Sequence, residues 1–192
     1  MRHSKFKKKG IFCIEGDWNH NLKDKTSVKH TLEFLKHSAK IENIYKNCST
    51  EAQFEEYIKT SLQRGYKEYS IIYIAFHGAS GSIDLGKRTK LGIDKIAKII
   101  NTNGDATDKI IHFGCCSTLD IPTYKLRRFL KETGAIAISG YTEKIDFVQS
   151  MCLDILYFNH CQEFLKISAI ENKMNKYYKG LIKELGFKIK YL

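Results

Sequence analysis

Short apolar runs alternate along this chain with stretches whose apolar residues recur every three or four positions. The first run, Gly10-Ile-Phe-Cys-Ile-Glu-Gly-Asp17, predicts a buried strand and its closing turn. From Thr26 to His37, Val28, Leu32 and Leu35 lie at helical spacing behind a Thr/Ser cap. Ile41 to Cys48 reads as a second, partly exposed strand. Thr50 and Gln53 form a capping box that opens a helix running to Gly65. Tyr69-Ser-Ile-Ile-Tyr-Ile-Ala-Phe76 is apolar without alternation, as expected of a strand covered on both faces. It ends in His77-Gly78-Ala-Ser-Gly-Ser82, and Ile83–Leu85 with Thr89–Leu91 predict a small hairpin around Gly86-Lys-Arg88.

The alternation continues. Ile93–Ile100 predicts a helix and Lys109–Gly114 a buried strand ending in Cys115-Cys116-Ser117-Thr118. Pro122–Lys131 reads as helix, Ala135–Ser139 as strand and Phe147 to about Ile167 as a long helix. From Glu171 onward the pattern mixes helix with a short strand at Phe187–Tyr191. Strands separated by helices imply a mostly parallel sheet between two helical layers, a three-layer α/β/α sandwich. In such sheets chemistry gathers beyond the carboxyl ends of the strands. Two strands end there in capable residues, His77 and the Cys115-Cys116 pair. If those strands are neighbours, imidazole and thiol meet on one rim.

A cysteine nucleophile needs a base to raise its thiolate fraction and backbone N–H donors for the oxyanion. His77 can serve as the base, and Gly78, lacking a side chain, lets a substrate carbonyl approach its N–H. At these residues the chain resembles the caspase-like cysteine peptidases. Ile74-Ala-Phe-His77-Gly78-Ala-Ser-Gly81 is similar to their His-Gly segment, and Ile110-Ile-His-Phe-Gly-Cys-Cys116-Ser-Thr118 to their nucleophile strand. Leu126-Arg-Arg-Phe-Leu-Lys-Glu-Thr-Gly-Ala135-Ile-Ala-Ile-Ser139 resembles a segment of the CHAT-domain members. Where that family carries Leu-Trp and then an acid, this chain has Gly140-Tyr141 and Asp146, and Leu119 stands where a glycine would follow Ser-Thr. The resemblance spans roughly Ser70 to Phe158.

It implies a caspase-like fold and a thiol endopeptidase with His77 and Cys116 as the catalytic pair. Cys115 is the alternative nucleophile: it is preceded by Gly114 and followed at two positions by Ser117, whereas Cys116 is preceded by Cys115 and followed at two positions by Thr118. Gly78 and the cysteine's own N–H would hold the oxyanion. Glu15, Asp17 and Asp146 are candidates to line the pocket for the residue before the cut, where an acid would favour Lys or Arg. Asp17 could instead cap the turn before the first helix. The resemblance implies a protein or peptide substrate, no cofactor, and release by a partner or signal.

Composition narrows this only slightly. A chain of 192 residues, 43% hydrophobic, reads as one domain over 1–192, with a basic tail at 1–9 and a C-terminal extension at 171–192. The formal charge is +11, but the cations are scattered and match no nucleic-acid motif, so nucleic acid is not an expected partner. No apolar run reaches the ~18 residues of a membrane span, and no signal peptide is evident, which predicts a cytoplasmic protein. The six cysteines form no CxxC pair and are expected to be free thiols. His20, His30, His37 and His160-Cys161 fit no zinc spacing, so no metal is expected, and His112, inside its strand, reads as structural. Two rival readings remain: a catalytically inactive caspase-like interaction module, and a nucleotide-binding flavodoxin-like domain using the Gly78–Ser82 loop.

Overall fold

The computed structural model describes residues 8–19, 21, 23–86 and 89–192. Most of the expected basic tail, His20 and the Lys87-Arg88 tip of the hairpin lie outside the described residues. The elements run β1 (Ile11–Glu15), α1 (Lys29–Ala39), β2 (Asn43–Asn47), α2 (Glu51–Leu62), a short 3-10 turn at Arg64–Tyr66, and β3 (Ile71–Ala75). Three short strands follow, β4 (His77–Ala79), β5 (Ser82–Asp84) and β6 (Lys90–Gly92). The chain ends with α3 (Ile93–Asn103), β7 (Ile110–Phe113), α4 (Thr123–Thr133), β8 (Ala137–Tyr141), α5 (Phe147–Glu163), α6 (Ile167–Leu185) and β9 (Phe187–Lys190).

The main sheet has the order β2-β1-β3-β7-β8-β9, parallel throughout except for β9, which runs antiparallel to β8. Strands β1, β3, β7 and β8 are buried along their whole length. This is why they are apolar without alternation: both faces are covered. On one face Phe54, Ile58, Ile96, Ile100, Leu126 and Leu130 from α2, α3 and α4 pack into one apolar cluster. On the other, Leu32 and Leu35 of α1 join Leu153, Tyr157, Ile170 and Met174 of α5 and α6. The expected three-layer sandwich is therefore the fold.

Local expectations fared unevenly. Thr50 caps α2, accepting from the Gln53 N–H at 3.2 Å, while the Gln53 side chain accepts from Ser49 N–H, one residue earlier than the box predicts. At the N-terminus of α1, Val28 occupies the cap position, and Ser27 before it accepts from the Lys29 N–H at 3.1 Å, as the expected Thr/Ser cap. The Val28 N–H donates to Glu15 on β1, at 2.7 Å. The helix is thus held from the sheet as well, a contact that spacing along the chain does not reveal. The expected hairpin is a three-stranded antiparallel sheet, because His77–Ala79 adds β4 to its edge. The helix expected from Phe147 to about Ile167 ends at Glu163, and a separate helix, α6, runs from Ile167 to Leu185.

A buried polar group joins the α5 layer to the sheet. The Asp154 carboxylate accepts from His112 Nε2 at 2.8 Å, Tyr73 hydroxyl at 2.8 Å and Tyr141 hydroxyl at 2.5 Å. His112 Nδ1 meets the Ser139 hydroxyl at 2.9 Å. Every one of these side chains is buried. Burial pushes the Tyr73 and Tyr141 phenols well above their ordinary pKa, so both remain protonated donors. His112, expected to be structural, sits at the centre of this group.

Replacing Asp154 by Ala removes the shared acceptor and strands the Tyr73 and His112 donors out of water, leaving Tyr141 only the Ser150 carbonyl. The expected loss is about 3–5 kcal/mol of stability, read by chemical denaturation. A loss below about 1 kcal/mol would mean that packing alone holds α5 in place.

Candidate active site

Parallel pairing of β3 with β7 sets the geometry. Ile74 pairs with Phe113, and His77 and Cys116 each lie three residues beyond that pair. Both therefore leave the sheet at the same height on its carboxyl rim. They line one cleft of about 300 Å³ together with Trp18, Asp24, Thr26, Gly114, Lys144, Ile145, Phe147, Ser150 and Met151.

The two cysteines part here. Cys116 is half-buried, lines the cleft, and its thiol lies 3.9 Å from the Ile145 carbonyl. Cys115 is fully buried and donates to the Ile74 carbonyl at 3.1 Å. Burial also raises its pKa strongly, which suppresses the thiolate. The turn between them and β8 is tightly fixed. Ser117 holds a left-handed backbone, φ 51°, an uncommon conformation for a non-glycine residue. Its N–H donates to Glu143 O at 2.9 Å, and Leu119 N–H to Tyr141 O at 2.9 Å. Leu119 is buried in the core.

Gly78 packs directly on this turn. A Cβ at that position would lie 2.4 Å from the Cys116 carbonyl oxygen and 2.8 Å from Cys115 Cβ. Only glycine permits that approach, which brings the Gly78 backbone against the Cys115–Thr118 turn. The Gly78–Ser82 stretch forms the β4–β5 turn, with Gly81 N–H donating to Thr118 O at 3.2 Å. No helix opens behind it, so it lacks the strand–loop–helix setting of a phosphate cradle. The flavodoxin-like reading loses its binding loop for that reason.

His77 is exposed, and its Nε2 donates to the backbone carbonyl of Trp18 at 2.7 Å. The Trp18 ring packs edge-on against the imidazole, centroids 5.3 Å apart, and against Phe147 at 5.4 Å. Glu15 holds Trp18 there. Its buried carboxylate accepts from the Trp18 indole N–H, from Ser27 hydroxyl at 2.6 Å, from Val28 N–H at 2.7 Å and from Tyr45 hydroxyl at 2.5 Å. Desolvation, with Glu15 beside it, pushes the Tyr45 phenol up to about 12, which keeps it a donor.

The expected substrate-pocket acids are thus dispersed. Glu15 is saturated by donors and sits behind Trp18, outside the cleft that His77 and Cys116 share. Asp146 caps α5, accepting from Gln149 N–H at 2.9 Å, and its neighbours Ile145 and Phe147 line the cleft in its stead. Asp17 is exposed and does not cap α1, which starts at Lys29. It lines a second cavity of about 310 Å³ with Trp18, Asn19, His77, Asp84 and Gly86. Sequence reasoning missed Trp18 and Asp24. The single tryptophan directly after a strand exit, and the Asp-x-Thr turn before a helix, were the available signals.

Alkylation of the folded protein at mildly alkaline pH, mapped by mass spectrometry, is expected to modify Cys116 and exposed Cys152 first. Cys13, Cys48, Cys115 and Cys161 are buried, with pKa values raised by desolvation, to about 11 for Cys48 and about 12 for Cys161. They should react only on unfolding. Modification of Cys115 before Cys116 would reverse this assignment.

Among solved structures, the fold is similar to caspase-1 from Spodoptera frugiperda, at 12% identity and TM-score 0.55, over 91% of this chain and 79% of that one. It is also similar to the Drosophila initiator caspase Dronc, at 10% identity and TM-score 0.57, over 98% and 81% of the two chains. At such identities the likeness shows the fold alone, and that fold is caspase-like. No curated protein matches the sequence. A family model described as a family of unknown function, DUF6642, matches residues 8–191, and the chain belongs to that family.

Proposed function

We propose that this protein is a cysteine endopeptidase of caspase/CHAT type, with Cys116 as nucleophile and His77 as acid–base. The observation that carries the reading is the shared cleft, lined by both side chains at equal height just beyond the ends of the neighbouring parallel strands β3 and β7. The hydrogen bond from His77 to the Trp18 carbonyl fixes the proton on Nε2 and leaves Nδ1 as the nitrogen that exchanges one. Cys116 gives its proton to His77 and attacks the peptide carbonyl, forming a C–S bond. Collapse of the tetrahedral adduct breaks the C–N bond as His77 protonates the leaving amine. Water then attacks the thioester, His77 takes its proton, the C–S bond breaks, and the thiol is restored.

The backbone N–H groups of Gly78 and Cys116 are the proposed oxyanion donors, supported by the close approach of Gly78 to the Cys116 turn. The chemistry draws on these groups and water, with a protein or peptide as substrate. The Leu126–Ser139 pattern supports a CHAT-like variant, and with it release by a partner or signal. Tyr141, in place of the family's tryptophan, makes a buried bond to Asp154 that an indole N–H at its own position would have to replace.

Labelling with acyloxymethyl-ketone probes carrying Arg, Lys, Asp and Leu recognition groups tests this reading. Wild type and Cys115→Ala are expected to label, while Cys116→Ala and His77→Ala fall by at least about a thousandfold. Equal labelling of the His77 variant would remove the base from the mechanism. No labelling of folded wild type, with candidate activators present, would support the non-catalytic interaction module.

A further inference from the structure

The outward face of α5 is apolar in a chain that is otherwise rich in charge. Asp, Glu, Lys and Arg make up 28% of all residues, and a helix on the outside of a fold ordinarily turns such residues to water. Along α5, Val148, Cys152, Ile155 and Asn159 recur at helical spacing on the outer side, with Leu156 beside them. Val148 is 68% exposed, Cys152 and Asn159 are exposed, and Ile155 and Leu156 are half-buried. None carries a charge. Helix α1 lies alongside: its Thr31 hydroxyl donates to the Met151 sulfur at 3.4 Å, and three residues on, Phe34 is 53% exposed. Apolar surface gathered on one outer face marks a contact site.

Where α5 gives way to α6, the face becomes cationic and aromatic. Leu165 is 72% exposed and Tyr177 54%. The Lys173 ammonium stands over the Phe164 ring at 6.0 Å and over the Tyr177 ring at 4.8 Å, and the Lys176 ammonium over Tyr177 at 5.2 Å. Lys166 is exposed in the same turn. The basic N-terminal stretch meets the fold here. Lys9 donates its ammonium to the Cys161 carbonyl and to the Phe164 carbonyl at 3.1 Å, and its N–H to Gln162 at 2.7 Å. Lys8 donates to the Ala39 carbonyl at the end of α1, and Arg2, Lys5 and Lys7 precede it in the sequence. Two acids border the face, and both have partners: Glu163 meets His160 and Asn159, and Glu184 accepts from Gln149.

We propose that this face docks on an anionic lipid bilayer, with Val148, Leu156 and Leu165 at the acyl boundary and the lysines among the headgroups. Tyr177 with ammoniums resting on its ring suits headgroup level, where a ring has one apolar and one wet side and lysine stems snorkel. A nucleic acid would meet the lysines but gain nothing from Val148, Ile155 and Leu156. A bound peptide needs a groove, and the outer side of a single surface helix is convex. None of these residues belongs to the proposed catalytic machinery, so docking and peptidase activity stand or fall separately.

Co-sedimentation of the full chain with phosphatidylcholine vesicles, with and without about 30% phosphatidylserine, tests the proposal. Anionic vesicles are expected to bind at least about tenfold more tightly than neutral ones, and to lose most of that gain between about 0.1 and 0.5 M salt. Val148→Gln with Leu165→Gln, and separately Lys173→Gln with Lys176→Gln, are each expected to weaken binding about fivefold or more. None of the four is in the buried core, so both variants should fold. Lys98→Gln with Arg127→Gln removes the same charge from the opposite helical layer and is expected to leave binding within about twofold. Vesicles are also expected to slow labelling of Cys152 by a charged maleimide about fivefold or more, because the thiol faces the bilayer. Equal binding to neutral vesicles, an equal loss in the Lys98 and Arg127 variant, or an unchanged labelling rate at Cys152 would overturn the proposal. So would vesicles left unbound by a chain that instead retains single-stranded RNA, or that dimerises through Val148.

Discussion

The carboxylate of Asp154 lies out of reach of water, and the bonds it accepts come from three side chains of the sheet, Tyr73, His112 and Tyr141. Burying an acid is costly unless donors surround it, so α5 can rest on the sheet in the one rotation and height that satisfies this group. Tyr141 extends the constraint, because its hydroxyl also lies 3.1 Å from the Ser150 carbonyl in the first turns of α5. Ser150, Met151 and Phe147 on those turns form one side of the cleft. The wall of the site is thereby registered to the strand that carries Cys116.

The opposite wall depends on a second buried acid. Glu15 gathers the start of α1, the Tyr45 hydroxyl and the Trp18 indole at the end of β1. Its effect reaches the chemistry through Trp18, whose carbonyl fixes the His77 tautomer and whose ring flanks the imidazole. Two buried carboxylates, Asp154 and Glu15, thus hold the two sides of the cleft, while an exposed one, Asp24, lines it.

Strands β3 and β7 were legible because both faces of a parallel sheet are covered and their residues are apolar throughout. Their order along the chain, with right-handed crossovers, made a shared rim for His77 and the cysteine pair a natural expectation. The pocket acids were not legible. Glu15, Asp17 and Asp146 all stand near strand ends, but burial, exposure and capping sent them to three different places. Nor could spacing separate Cys115 from Cys116, since adjacent residues differ only in which way the chain turns after β7.

By itself, then, the sequence determined the layered α/β architecture and the strand ends that carry His77 and Cys116. Periodicity and apolar runs record burial along each element, and burial is a local property of a strand or helix. Tertiary structure alone decided which thiol opens to the cleft, that Glu15 caps a helix twelve residues away and more, and that Trp18 and Asp24 face His77 and Cys116. Those outcomes depend on side-chain direction and on donors contributed by distant segments, which no spacing along one chain encodes.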